Sequence, residues 1–171
     1  MANTDIKTGF KPLNVKDAVL YRDLLTTGET TKDGDILYRA STGLLTATAS
    51  TNKIAGVQAG AILDESDGFI NTTSVDGDMV MIYANPDEVF VGQITTFAQT
   101  DPYTTRVSSA CFDVAGSAGA QYIDAGATTL DTFKVQRVTA EYDTGALSAV
   151  GAYAKVECTI NPDKHEKTAL T

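Results

Sequence analysis

The chain has 171 residues, 43% apolar and 20% charged, with a formal net charge of −9 from 13 basic and 22 acidic residues. The apolar fraction is enough for a packed core and excludes a disordered chain, and the length suits one domain or two small ones. Lys and Arg are scattered singly, so no basic footprint exists and no nucleic-acid partner is expected; no apolar run nears the roughly 18 residues of a membrane span, so no membrane partner is expected either.

Residues 1–14 read as an extended N-terminal arm. Ile6, Phe10 and Leu13 are apolar anchors in a polar leader, and Pro12 disfavours helix. Such an arm either frays or docks on a neighbouring subunit, and the second reading makes Ile6, Phe10 and Leu13 candidate partner-binding residues. Residues 1–5 lack the basic-then-apolar layout of a secretion signal, so synthesis in a cytoplasm without a secretion route is expected.

Residues 15–162 read as a β-rich body. Residues 15–25 fit either a short helix or a strand. Asp33-Gly34 precedes an apolar strand at 35–39, and Asp67-Gly68 and Asp76-Gly77 bracket a further short segment. Residues 79–83 are apolar on both faces and predict a central buried strand. Asn85-Pro86-Asp87 is a turn, and the strand after it, 88–94, forms a hairpin or a corner with 79–83. Short strands follow at 111–114 and 121–124, around a Gly/Ala/Ser loop. Strands at 132–139 and 152–160 complete the set, the last with Val156, Cys158 and Ile160 on one face. Turn signals at roughly 8–12 residue spacing predict a sandwich or barrel. Gly-Asp opens an apolar strand at Gly34-Asp35 and again at Gly77-Asp78, a hint of two related units with a subdivision near 95–105. Residues 163–171 read as a polar, mobile C-terminal tail.

The chemistry-bearing residues are few. The chain holds one histidine, His165, in that tail and without a nucleophile-elbow sequence, so a Ser-His-Asp triad is not expected. Cys111 and Cys158 read as free thiols, and with His165 they match no closed zinc pattern. The acidic run 64–67 lacks the EF-hand spacing and reads as a solvated turn, with calcium as the alternative. Residues 116–119 lack dinucleotide-loop spacing, and Gly56 to Gly60 reads as close strand packing. No catalytic residue, metal or cofactor is expected, and the chain is read as not an enzyme.

Several segments, in this order, resemble the capsid decoration, or cement, proteins of tailed bacteriophages. They are Gly9-Phe10-Lys11-Pro12-Leu13, then Tyr21 with Gly34-Asp35-Ile36-Leu37, then residues 54–60. Residues 84–93 follow, with an Asn-Pro-Asp turn before Phe90 and Gln93, and last Gly151 to Ile160 with Asn161 and His165. Pro162-Asp163-Lys164 sets Asn161 further from His165 than the family pattern does. The resemblance implies an all-β fold, sandwich or barrel-like and of β-tulip or jelly-roll type, with an extended N-terminal arm. It implies a structural virion protein on the outer capsid surface that braces the shell. Its partners would be the major capsid protein and itself, as a homo-oligomer, commonly a trimer. A phage tail or fibre module recognising carbohydrate is the alternative reading, although the chain has no Trp platform; a carboxylate-based hydrolase ranks third.

Overall fold

The computed structural model describes residues 5, 7–14, 18–47, 53–64, 66, 68, 70–97, 111–127, 129–139 and 151–166. The chain is all-β, as its Val/Thr-rich, turn-punctuated pattern predicts. The first half carries β1 (Lys11–Pro12), β2 (Leu20–Leu24), β3 (Ile36–Arg39), β4 (Leu45–Thr46), β5 (Lys53–Leu63), β6 (Ile70–Asn71) and β7 (Met79–Tyr83). The second carries β8 (Val89–Gln93), β9 (Thr96–Phe97), β10 (Cys111–Ala115), β11 (Tyr122–Asp124), β12 (Phe133–Val138), β13 (Gly151–Ala152) and β14 (Lys155–Ile160). A single 3-10 turn at Pro162–Lys164 is the one named helical element among the described residues.

The first sheet runs β2-β7-β5-β3-β4, with β6 hydrogen-bonded to β5. It then closes on itself. Leu25, just past β2, forms a parallel bridge to Leu45 of β4, and the Thr26 N–H donates to the Leu45 carbonyl at 2.8 Å. Closure turns alternate side chains inward. Leu25, Leu37, Leu45, Ala55, Ile62, Val80, Ile82 and Ala84 accordingly form a buried cluster of their own inside this small barrel.

The second sheet runs β1-β8-β14-β12-β10-β11. It closes in the same way: Ile94, just past β8, bridges Ile123 of β11, and the Thr95 N–H donates to the Ile123 carbonyl at 3.0 Å. Its interior residues, among them Phe90, Ile94, Ile123, Phe133, Val156, Cys158 and Ile160, are continuous with Ile36, Tyr38, Ile54 and Val57 from the first sheet. One core thus spans both sheets. Polar contacts add to the joint: the Asp35 carboxylate accepts the Gly119 N–H at 2.9 and 3.0 Å, and Gln121 Oε1 accepts the Ile36 N–H at 2.7 Å.

The two barrels have one topology. β2, β3, β4, β5 and β7 correspond in order to β8, β10, β11, β12 and β14, and both sheets are strung together in the same sequence of neighbours. The registers also correspond. β2 pairs β7 from Leu20↔Tyr83 to Leu24↔Met79, and β8 pairs β14 from Val89↔Thr159 to Gln93↔Lys155. The Leu25 N–H donates to the Asp78 carbonyl at 2.9 Å, and the Ile94 N–H to the Ala154 carbonyl at 2.9 Å. Each barrel's last strand ends in Asn-Pro-Asp, built alike. Asn85 Oδ1 accepts from Asp87 N at 3.1 Å, and Asn161 Oδ1 from Asp163 N at 3.2 Å. The next bond matches too: Glu88 N to the Asn85 carbonyl at 3.1 Å, Lys164 N to the Asn161 carbonyl at 3.0 Å. Strand pairing changes sheets at residues 84–88, ahead of the 95–105 at which a subdivision was expected. Both Gly-Asp pairs belong to the first barrel. The strands at 79–83 and 88–94 lie in different sheets, so Asn85-Pro86-Asp87 makes a corner. Residues 20–24 of the undecided segment form a strand.

Candidate interaction surface

The N-terminal arm is part of the second sheet. β1 adds to the outer edge of β8 through Lys11↔Val91 and Pro12↔Phe90, and the Leu13 N–H donates to the Val89 carbonyl at 2.7 Å. Gly9 and Gly34 take left-handed φ values of 70° and 91° where the two backbones meet, and the Phe10 N–H donates to the Gly34 carbonyl at 2.7 Å. That brings Phe10 into the core at 0% exposure, its ring centroid 4.3 Å from Phe133. A methyl at Gly92 would stand 2.5 Å from the Phe10 ring, so the missing side chain at 92 is what makes room for it.

Phe10 therefore serves this chain's own core and is not an exposed anchor for a neighbour. The signal missed was local: Gly9 supplies the turn and Gly92 the space. Leu13 is 49% exposed and remains on the surface. Ile6 lies outside the described residues.

The proposed tail also starts later than expected. His165 is fully buried and bridges Ile54 of β5, and the Glu166 N–H donates to the Ile54 carbonyl at 2.9 Å. Glu166 is held by Arg39 through two bonds, at 2.8 and 3.0 Å. The same guanidinium reaches Asp23 at 2.5 Å and the Gly43 carbonyl at 2.8 Å. These carboxylates raise the already high Arg39 pKa further. Residues 163–166 are thus tied to β2, β3 and β5, and only 167–171 lie outside the described residues.

Both cysteines are free thiols, Cys158 fully buried. Burial raises the pKa of both. Among the described residues no group of three or more His, Cys, Asp or Glu is placed to hold a metal ion. In the acidic run, Asp64 Oδ1 accepts the N–H and hydroxyl of Ser66 at 2.7 and 2.6 Å, as in a simple turn; residues 65 and 67 lie outside the description. Carboxylates elsewhere fix loops. Asp113 accepts the N–H groups of Thr129, Leu130 and Asp131 at 2.7–3.1 Å. At Asp33, burial opposes ionisation but is outweighed by the Gly60 N–H and the Lys11 ammonium, so its pKa falls. At the buried Asp35, desolvation outweighs the N–H groups of Lys32 and Gly119, and its pKa rises.

The exposed apolar residues concentrate on β2 and its approach: Val19 at 47%, Leu20 at 44%, Tyr21 at 46% and Leu24 at 39%. Val80 and Ile82 point into the first barrel, so Met79, Met81 and Tyr83 point out. Directly opposed residues share a face, so Leu20, Arg22 and Leu24 continue that outer surface beside Tyr83, Met81 and Met79. Tyr83 turns to the second barrel, its ring centroid 6.3 Å from that of Phe90, and the half-exposed apolar strip is left to Leu20, Leu24, Met79 and Met81, broken by Arg22. Comparisons of the chain with family models, with curated proteins and with solved structures find no match in any of the three.

Proposed function

We propose that this protein is a structural virion component that binds the outer face of a tailed-phage capsid and stabilises it, without enzymatic activity. The observation that carries the reading is the half-exposed apolar strip on β2 and β7 of a chain whose net charge is −9. Exposed apolar residues grouped on one strand in this way point to an interaction site. Net negative charge suits the outside of a shell, away from packaged DNA. The ordered resemblance of residues 9–13, 21, 34–37, 54–60, 84–93 and 151–165 to capsid decoration proteins names the partner class, the major capsid protein. Self-association, as a closed ring of three, is part of the same reading.

Co-sedimentation with empty, expanded shells of the encoding phage tests it. Saturable binding at a fixed ratio to the capsid protein is the expected result. Binding to a glycan array without binding to shells would contradict it and favour a tail or fibre module.

A further inference from the structure

We infer that the outer edge of β2 is a dock for an extended strand of the shell protein, the counterpart of the edge of β8 that β1 fills within this chain. The inference rests on the capsid-binding reading and deepens it.

The correspondence of the barrels carries the argument. β2 and β8 occupy the same place, pair their inner neighbours in the same register and close their barrels with the same bonds. On β8 the outer edge is covered: β1 pairs Val91 and Phe90, and Leu13 N–H reaches the Val89 carbonyl. On β2 the strand partner among the described residues is β7. The Leu25 N–H points toward β7, where it donates to Asp78. Backbone groups alternate along a strand, so those of Leu20, Arg22 and Leu24 point away from β7. Their counterparts Val89 and Val91 are the residues β1 addresses on β8. Of the outward N–H groups, that of Leu24 is met by the carboxylate of its own neighbour Asp23, at 2.9 Å.

Edge strands are usually blunted by prolines, bulges or several charges. β2 has no proline, and its register against β7 is unbroken. Three of its five residues are apolar or aromatic and exposed. An edge of this kind accepts a strand by main-chain pairing, with alternate side chains setting specificity.

The occupant follows from charge and size. Two copies of β2 pairing about a two-fold axis, in the register that matches all five residues, would set their Arg22 side chains directly against each other, which is repulsive. A five-residue edge also buries far less than the ~1,200 Å² at the lower end of stable interfaces. It suffices where partners are arrayed and many contacts act together, as on a shell. Arg22 is exposed and makes no ion pair among the described residues. The fitting strand is apolar opposite Leu20 and Leu24 and acidic opposite Arg22.

The test is saturation binding of full-length protein to empty shells, comparing wild type with Arg22→Glu, Arg22→Pro and, as a surface control, Ile70→Ser. Proline at 22 removes an outward N–H and leaves the bonds to β7. Circular dichroism and melting check each fold; if Arg22→Pro misfolds, Arg22→Glu decides alone. Loss of affinity by tenfold or more in the folded Arg22 variants, with Ile70→Ser unchanged, is the expected result. Wild-type affinity in both Arg22 variants would overturn the dock and leave the capsid reading standing. A wild-type protein that does not bind shells would overturn both. Loss of a solution oligomer in Arg22→Pro, with shell affinity intact, would assign the edge to a second copy and overturn the proposal.

Discussion

Phe10 shows how much one side chain can decide. It is a lone aromatic in a polar leader, yet it fills the second barrel against Phe133 and Gly92. Truncating a fully buried phenylalanine costs about 3–5 kcal/mol. Denaturant unfolding of Phe10→Ala should show a loss of that size, while Leu13→Ala, half exposed, should stay within about 0.5 kcal/mol. Similar small effects for both would mean that the arm does not belong to the core. Asp35 gives a pH-dependent prediction. Burial raises its folded pKa above the ordinary 3.8, so the folded state holds the proton more tightly than the unfolded state does. That contribution is complete below the unfolded value and is lost as pH rises through the raised folded value. Asp35→Asn cannot ionise. The stability difference between variant and wild type should therefore shift in the variant's favour as pH rises from below 3.8 through the raised folded value, as read by chemical denaturation. A difference constant across that window would contradict the raised pKa.

The recurring turn belongs to the scale of elements. Asn85 and Asn161 each cap an Asn-Pro-Asp turn, but Asn161 also donates Nδ2 to the Asp131 carbonyl at 2.9 Å and is 6% exposed. Asn85→Ala should cost about 1 kcal/mol, as loss of a cap does. Asn161→Ala should cost about 1 kcal/mol more, because the part-buried bond to the Asp131 carbonyl is lost as well. Equal shifts in the unfolding midpoint would mean that the second bond is energetically silent. Most strands were legible from sequence because they alternate and end at turn residues. The spans predicted at 35–39, 79–83, 88–94, 111–114, 121–124, 132–139 and 152–160 coincide with β3, β7, β8, β10, β11, β12 and β14 to within about three residues at each end, the usual uncertainty of such boundaries. The barrel closures were not legible, since Leu25↔Leu45 and Ile94↔Ile123 join residues far apart in sequence that carry no local mark. The shared topology has one mark in the sequence, the tripeptide at 85–87 and again at 161–163, but each copy by itself reads only as a turn. His165 reads as part of a fraying end because a polar segment follows the Asn-Pro turn; in the structure its neighbour Glu166 is held by Arg39 and by the bond to the Ile54 carbonyl.

At the scale of the whole molecule, two like barrels join through a core that spans both sheets, the first barrel holds a second cluster of its own, and the arm at residues 9–13 completes the second barrel. Deleting residues 1–13 would remove Phe10 and β1, so it should lower stability as well as change any attachment; a truncated protein with an unchanged melting temperature would argue that the arm is dispensable to the core. The bulk of the charge is negative, and the apolar strip lies on the first barrel, on the strand whose counterpart is already covered. On the proposed capsid reading, that strip is the side that meets the shell, and the opposite side faces water. Electron cryomicroscopy of empty shells, saturated with purified protein and compared with bare shells, tests this most directly. Added density on the outer face alone, repeated at equivalent lattice positions, with the β2 side of the first barrel against the shell, is the expected result. Unchanged shells, density on the inner face, or molecules attached through the opposite side would contradict it.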